Sequence, residues 1–146
     1  MNALRASTLL AGLALLTASG VAQDSAPKPV LPDALTWVSP PDNPGLQGSW
    51  VVGAEKQPGV YLLRVKLAAG TKIAPHSHPD QRVSTVLAGT IHVGFGSVFD
   101  ERKVVAIPTG GVYVAPANVP HYVWAKDGAA QYQESGIGPT GNLPPK

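Results

Sequence analysis

The sequence predicts a single all-β domain, a sandwich or barrel of short strands, on three observations. Glycine and proline supply 16 and 15 of the 146 residues, and such frequent chain breakers leave little room for long helices. After residue 22, no run of ten or more residues repeats its apolar side chains with the helical period. Charged residues make up only 14% of the chain, which argues against the highly charged composition of disordered proteins.

Eight segments have the composition of strands because turn residues bound short apolar runs. They cover residues 49–53, 59–67, 82–87, 90–95, 104–107, 111–115, 121–125 and 130–134. In the second segment, alternate residues from Tyr61 to Leu67 form one apolar face, the period-two pattern of a half-buried strand. In the fourth, Ile91, Val93 and Phe95 form the apolar face, so that His92 is expected on the other face as an ordinary polar residue.

Residues 1–22 have the features of an export signal. Arg5 supplies a positive charge, residues 9–17 are an apolar run, and residues 18–22 are the small residues that signal peptidases require. The apolar run is short for a hydrocarbon core of about 30 Å. We therefore expect cleavage after Ala22, no stable membrane anchor, and a periplasmic or secreted mature protein.

The rest of the chain is expected to comprise an extended proline-rich lead-in at 23–44, a β-barrel domain at 45–139 and a tail at 140–146. Within the lead-in, Trp37 is expected to dock on the barrel. The chain has no cysteine, which excludes disulfides, a cysteine nucleophile and zinc–thiolate sites. Its formal net charge is +2 without blocks of like charge, so nucleic acid is not an expected partner and a small-molecule ligand or substrate is.

Three of the four histidines are candidate metal ligands. His76 and His78 are two residues apart, so both side chains leave the same face if that segment is extended. His121 follows the turn-rich segment 116–120 and could add a third nitrogen from a facing strand. Such a set of neutral imidazoles suits Fe, Mn, Zn, Ni or Cu and leaves positions open for water and substrate.

The segments around these histidines resemble the two conserved motifs of the cupin superfamily. The first covers residues 70–89, and the second covers 110–121 with Asn118 at a turn where the family usually has glycine. Asparagine is the next best residue for the left-handed conformation of that turn. The resemblance extends over about residues 44–139 and is greatest to small exported single-domain members. It implies an antiparallel jelly-roll β-barrel with the three histidines in its mouth, and a homodimer formed by edge strands.

Arg82 departs from the family's first motif, which has glutamate four residues after the second histidine. A guanidinium cannot ligate a cation and repels one nearby. Three interpretations follow. The three histidines alone hold the metal, as in cupin-like thiol and diketone dioxygenases, while Arg82 and its neighbour Gln81 contact an anionic substrate. In the second interpretation, Asp80 or Gln81 supplies a ligand oxygen after a local register change. In the third, the barrel binds no metal tightly.

The function predicted from the sequence is that of an exported protein with a mononuclear divalent metal, a dioxygenase-like or Lewis-acid enzyme acting on a small molecule. The alternative is a non-catalytic ligand-binding or structural module with a degenerate metal site. No Ser-His-Asp spacing is present that would favour a hydrolase. The sequence does not identify a catalytic residue, the metal or the substrate.

Overall fold

A computed structural model describes residues 28–145 of the chain. Within that range it consists of β-strands and one short 3₁₀ helix, Pro32–Ala34. The strands are β1 (Leu46–Val52), β2 (Gly59–Leu67), β3 (Lys72–His76), β4 (Arg82–Ala88), β5 (Thr90–Phe95), β6 (Val105–Pro108), β7 (Val112–Ala115), β8 (His121–Trp124) and β9 (Ala130–Gly138). The predicted export signal at 1–22 and the start of the lead-in lie outside the described residues. In the described range, no helix has the length and apolar character needed to cross a membrane.

The nine strands form two antiparallel sheets. The first sheet has the order β1-β2-β9-β4-β7, and the second has the order β3-β8-β5-β6. Each sheet pairs some strands that are distant in sequence, such as β2 with β9 and β3 with β8, as in a jelly roll. In residues 28–145 the strand pairs stay within their own sheet, so the molecule is a double-sheet jelly roll. The all-β prediction is confirmed.

The hydrophobic core lies between the two sheets. The first sheet contributes Val65 and Tyr132, and the second contributes Ile91, Val93 and Val123. Burying an aliphatic side chain of this size stabilises a fold by about 1.5–3 kcal/mol. The alternation predicted for β2 is confirmed, because the side chains at 61, 65 and 67 are buried and the one at 63 packs against the core.

The structure contains one strand that the sequence analysis missed. β3 covers Lys72–His76 and includes Pro75, a residue that argues against a central strand because it lacks a backbone N–H. β3 is however an edge strand of the second sheet, the position in which proline is tolerated. The eight predicted strands are present with ends that differ by up to four residues, and β9 continues to Gly138.

One expectation for β5 is wrong, because Phe95 is 47% exposed at the end of the strand. His92 lies on the face opposite Ile91 and Val93, as expected, but it is buried. His92 lies beside the ring of Trp124 at 6.3 Å, and its Nε2 is 3.4 Å from Oδ2 of Asp127 in the loop after β8. The ring of Phe99 lies 4.7 Å from that of Tyr122 and 6.2 Å from that of Trp124, which in turn lies beside His92. The outer face of this sheet is therefore partly covered by the chain itself.

The lead-in contacts the first sheet. Val38 forms a β-bridge with Gly48 of β1, and the ammonium of Lys66 on β2 lies 3.9 Å from the centre of the Trp37 ring. A cation at that distance over an indole is attracted to the ring face. Residues 37 and 38 thus pack on the first sheet, and Val38 also lines the cavity described below.

Candidate metal centre

Sheet topology brings the three candidate histidines together. His76 at the end of β3 and His121 at the start of β8 are direct partners in the strand register, and His78 follows two residues after His76. The centres of the three rings are 4.5 to 5.1 Å apart. Their candidate ligand nitrogens all lie within 4.8 Å of one another. In the described range they are the one group of three or more such side chains close enough to share an ion.

Backbone carbonyls fix the tautomer of each imidazole. The Nδ1 atoms of His76, His78 and His121 lie 2.8, 2.8 and 3.4 Å from the carbonyl oxygens of Ala74, Gly141 and Val119, respectively. A carbonyl oxygen only accepts hydrogen bonds, so each Nδ1 carries the proton and each Nε2 keeps a free lone pair. The Nε2 of His78 is buried without a hydrogen-bond partner. A buried nitrogen in this state is poised to coordinate a metal ion.

The environment keeps all three imidazoles neutral. Burial lowers the pKa of His78 to about 3, assisted by the positive charge of Arg82. Burial likewise lowers the pKa of His121 to about 4, with a smaller contribution from His76. The pKa of His76 is also lowered by burial. Metal ions bind the neutral form of histidine, so at neutral pH the site is in the form that accepts a cation.

The donor set fits a first-row divalent ion. Zinc binds histidine nitrogens at about 2.0–2.1 Å, so two nitrogens on one ion are at most about 4.2 Å apart. The widest separation here is up to 4.8 Å, which rotation of the side chains can close. Three neutral nitrogens suit several ions of the series, so the donor set does not select one metal.

Asn118 adopts the conformation that the sequence analysis expected at the turn before β8. Its φ is +61°, and it is the one non-glycine residue with positive φ in the described part of the chain. Its backbone N–H donates a 2.7 Å hydrogen bond to the carbonyl of His78. The turn therefore ties the His78 segment to the segment that leads into His121.

Arg82 lies beside the histidines in a buried ion-pair network. Its Nη1 donates to Oε2 of Glu134 at 2.6 Å, its Nη2 donates to Oγ1 of Thr140 at 2.8 Å, and its Nε lies 3.9 Å from Oδ1 of Asp80. Arg82 is 5% exposed and Glu134 is 4% exposed. A buried guanidinium of this kind needs opposite charge to offset its lost hydration, and two carboxylates supply it.

Asp80 is held in the same network. Its Oδ2 accepts a 2.5 Å hydrogen bond from the hydroxyl of Tyr61, and its Oδ1 accepts one from the hydroxyl of Thr140. Gly136 on β9 makes room for this arrangement, because a Cβ at that position would lie 2.5 Å from the Tyr61 hydroxyl and 2.6 Å from Oδ2 of Asp80. Asp80 is thus bonded to Tyr61 and Thr140, and it is not part of the three-histidine cluster.

The segment after β9, which the sequence analysis left as a tail, contributes to the site. The Gly141 carbonyl accepts the Nδ1–H bond of His78, and the backbone groups of Leu143 and Ser77 exchange two hydrogen bonds of 2.8 and 3.0 Å. Thr140 binds Arg82 through its hydroxyl. Sequence patterns gave no signal for this role, because two of the contacts use backbone groups that any residue could supply.

The structure places the other predicted site residue, Gln81, at the surface, where its side chain is exposed. Arg82 and Gln81 are neighbours in sequence, but the side chain of Arg82 is buried. Their predicted contact with a substrate stays a prediction. Glu134 and Thr140 are the polar residues of this site that the sequence analysis missed.

A cavity of about 680 Å³ opens beside His76. It lies between edge strands β1 and β3, and the lead-in contributes to its wall. His76, Arg82 and Glu134 are among its polar lining residues, and Leu63 and Ile73 are among its apolar lining residues. Ligand sites of organic molecules commonly have volumes of about 300–1,000 Å³, so the cavity has the size of a small-molecule site.

Comparisons with known proteins agree with this architecture. A family model described as the cupin domain matches residues 63–132. Germin-like protein 3-1 of Oryza sativa subsp. japonica is 33% identical over 79 residues, which is 53% of this chain and 35% of that protein. The chain therefore spans about a third of the length of this curated relative.

Solved structures of low sequence identity share the fold. KdgF from Halomonas sp. superposes with a TM-score of 0.62 at 19% identity and covers 77% of this chain and 94% of that one. Bacillus subtilis oxalate decarboxylase, described with Mn(II) centres, has a TM-score of 0.58 at 15% identity, covering 72% of this chain and 28% of that one. At such identities the likeness concerns the fold.

Proposed function

The chain belongs to the cupin superfamily, and we propose that it binds one divalent metal ion through His76, His78 and His121 and acts as an enzyme on a small molecule. The observation that carries the proposal is the contact of each Nδ1 atom with a backbone carbonyl oxygen. Each Nδ1 is engaged by a backbone carbonyl, which leaves three Nε2 lone pairs in one small volume. The buried Nε2 of His78 has no other partner.

When bound, an ion held by neutral imidazoles keeps its full charge and supplies Lewis-acid or dioxygenase-type chemistry. The chain's own residues would hold the substrate next to that ion. The cavity beside His76 has room for a small organic molecule, and its apolar wall would exclude water from the reacting group. The Mn(II) centres of a protein with the same fold also support a divalent ion as the cofactor. The metal's identity is left open between Fe, Mn, Zn, Ni and Cu.

Elemental analysis of protein purified without an affinity tag tests the metal site. We expect about one equivalent of a divalent metal in the wild-type protein and a large loss in the His76→Ala variant. His92→Ala is the matched control, because His92 is a buried histidine outside the cluster, and it should retain the metal. Absence of bound metal from wild-type protein, also after incubation with each candidate ion, contradicts the proposal.

A non-catalytic binding module is the second candidate function. It is favoured by Arg82, whose positive charge lies close enough to His78 to lower its pKa and thus opposes a nearby cation. The double variant Arg82→Glu/Glu134→Gln, which avoids burying two carboxylates side by side, separates the two candidates. If metal binds weakly to the wild-type protein and much more tightly to this variant, while ligand binding persists without turnover, the protein is better described as a binding module.

We also propose that the protein is exported and that residues 1–22 are removed. The proposal rests on the charge, apolar run and small residues of that segment. N-terminal sequencing of protein from a fractionated host tests it, and a mature chain that begins at Gln23 is the expected result. An intact N-terminus in the cytoplasmic fraction contradicts it. Assembly as a homodimer stays a prediction.

A further inference from the structure

The cavity beside His76 lies where the two sheets are not joined to each other. β1 is an edge strand of the first sheet and β3 is an edge strand of the second. In residues 28–145, β1 pairs with β2 and β3 pairs with β8, and no strand pairing joins the two edges. Residues of both edge strands line the cavity. The gap between them would lead to His76 if no other part of the chain covered it.

Part of the lead-in, residues 36–43, crosses this gap, and we call it the strap. On one side, Val38 exchanges two backbone hydrogen bonds of 2.8 and 2.9 Å with Gly48 of β1. On the other side, the side-chain amide of Asn43 donates a 2.9 Å hydrogen bond to the carbonyl of Lys72, the first residue of β3. The three residues that follow Val38 line the cavity. The strap thus bridges the two sheets and forms one wall of the cavity.

The strap is held less firmly than the strands that form the rest of the wall. Val38 is 66% exposed, and its pairing with β1 is a single isolated bridge, whereas β1 pairs with β2 along most of its length. The indole of Trp37 adds a contact with the ammonium of Lys66 at 3.9 Å. Segments with few buried contacts and exposed hydrogen bonds open locally at low free-energy cost. The strap has these properties.

The other parts of the wall that lie outside the strands support the metal centre. They are Glu55 and residues 141–142. The Gly141 carbonyl accepts the hydrogen bond from His78, and the Glu55 carbonyl accepts a 2.7 Å hydrogen bond from the backbone N–H of Thr140. Opening of the wall here would break the contact that orients a candidate ligand. In residues 28–145 the hydrogen bonds of the three histidine rings go to segments other than the strap, so the strap can move without disturbing them.

We infer that the strap is the movable wall of this cavity and that a ligand reaches His76 from the edge of the sandwich by displacing it. The inference rests on the proposed function, because it describes how a substrate or ligand enters the same site. Pro40 and Pro41 have a fixed φ, so this part of the strap moves as a stiff unit between its contacts at Val38 and Asn43. Once back in place, the strap separates a bound molecule from water.

The reaction of His76 with diethyl pyrocarbonate measures access to the cavity in the metal-free protein. This reagent acylates neutral imidazole, and mass spectrometry of peptides gives the rate at each histidine. Trp37→Ala/Asn43→Ala removes the side-chain contacts on both sides of the strap, and we expect the rate at His76 to rise about fivefold or more. Neither replaced side chain is charged. Because no metal is present, the rates do not depend on whether the histidines bind an ion, which elemental analysis decides separately.

Two controls separate access from a general loss of stability. His92 is buried and does not line the cavity, so its rate in the same sample should stay unchanged. Leu31→Ala alters an exposed residue of the lead-in outside the strap, and its His76 should react at the wild-type rate. An unchanged rate at His76 in the folded double variant, or an equal rise at His92, overturns the inference.

A reversible cross-link tests the movement of the strap. Val38 and Gly48 exchange both backbone hydrogen bonds, and residues paired in this way have Cα atoms about 5.5 Å apart, a separation that a disulfide spans. The chain has no cysteine of its own, so Val38→Cys/Gly48→Cys introduces one disulfide. The oxidised protein should react at His76 several-fold more slowly than the same protein after reduction. Equal rates in the two states would contradict entry past the strap. If the disulfide does not form, the double-alanine variant still decides the inference.

Discussion

The guanidinium of Arg82 lies 2.6 Å from the carboxylate of Glu134, and both side chains are buried beside the three-histidine cluster. Arg82 is on β4 and Glu134 is on β9, and these two strands are neighbours in the first sheet. The position at which the superfamily usually has glutamate is therefore occupied by a cation, and a carboxylate from another strand neutralises it. The charge of the guanidinium next to the histidines is thus offset by the carboxylate of Glu134.

Removing Arg82 should destabilise the fold strongly. Arg82→Ala leaves Glu134 buried without its partner, and loss of one member of a buried ion pair typically costs about 3–5 kcal/mol. Arg64→Ala is the matched control, because Arg64 is only partly buried and bonds to the neutral Gln133; it should cost less than about 1 kcal/mol. Urea unfolding measures the free energy of unfolding of both variants. Similar losses of stability in the two would contradict the burial of the Arg82–Glu134 ion pair.

The segment after β9 should be required for tight metal binding. Ending the chain at Pro139 removes the Gly141 carbonyl that orients His78 and the Thr140 hydroxyl that binds Arg82. Loss of such outer contacts of a ligand typically costs about 10–100-fold in metal affinity. A chain ending at residue 143 is the control and should bind normally. Zinc titration of both chains, with circular dichroism to verify folding, checks this; equal affinities would count against it.

The metal-free protein should lose stability as the pH falls below neutral. Unfolded histidine takes up a proton near its ordinary pKa of 6.5, whereas in the folded state His121 does so near 4 and His78 near 3. The unfolded state thus binds more protons between about pH 6.5 and 3, and each group lowers the unfolding free energy by about 1.4 kcal/mol per pH unit. Urea unfolding at pH 7, 6 and 5 should show this slope, and His121→Asn should reduce it. A flat profile would contradict the burial of neutral imidazoles.

Packing on the outer face of the second sheet should be intolerant of an added methyl group at Gly94. A Cβ there would lie 2.3 Å from atoms of the Tyr122 ring, and overpacking of this kind typically costs about 1–3 kcal/mol. Gly48→Ala is the control, since its Cβ would meet only Leu63 at 3.7 Å. Thermal unfolding of the two variants makes the comparison. Equal stability of Gly94→Ala and Gly48→Ala would contradict the close packing of the Tyr122 ring on Gly94.

The strands and the histidines could be predicted because their signals are local. Alternation from Tyr61 to Leu67 and the spacing of His76 and His78 are each contained in one short segment. Asn118 was identified because its turn conformation restricts the residue type. No strand was predicted at β3, whose Pro75 is tolerated because the strand lies at a sheet edge.

The partner of Arg82 could not be predicted because it depends on the pairing of distant strands. Glu134 is 52 residues away, and no pattern near either residue indicates that β4 and β9 are adjacent. His92 likewise lies beside Trp124 and Asp127, which are distant from it in sequence. Gly141 binds His78 through its backbone carbonyl oxygen. Every residue type has that group, so the sequence could not indicate this contact.

Cobalt titration of metal-free protein, followed by its visible absorption, tests the three-histidine site most directly. The d–d spectrum of Co²⁺ reports whether nitrogen ligands surround the ion, and the titration gives the stoichiometry. We expect saturation at one equivalent, and loss of that spectrum in His76→Ala, His78→Ala and His121→Ala but not in His92→Ala. A spectrum of hydrated Co²⁺ throughout the titration of the wild-type protein would contradict a metal centre at these three residues.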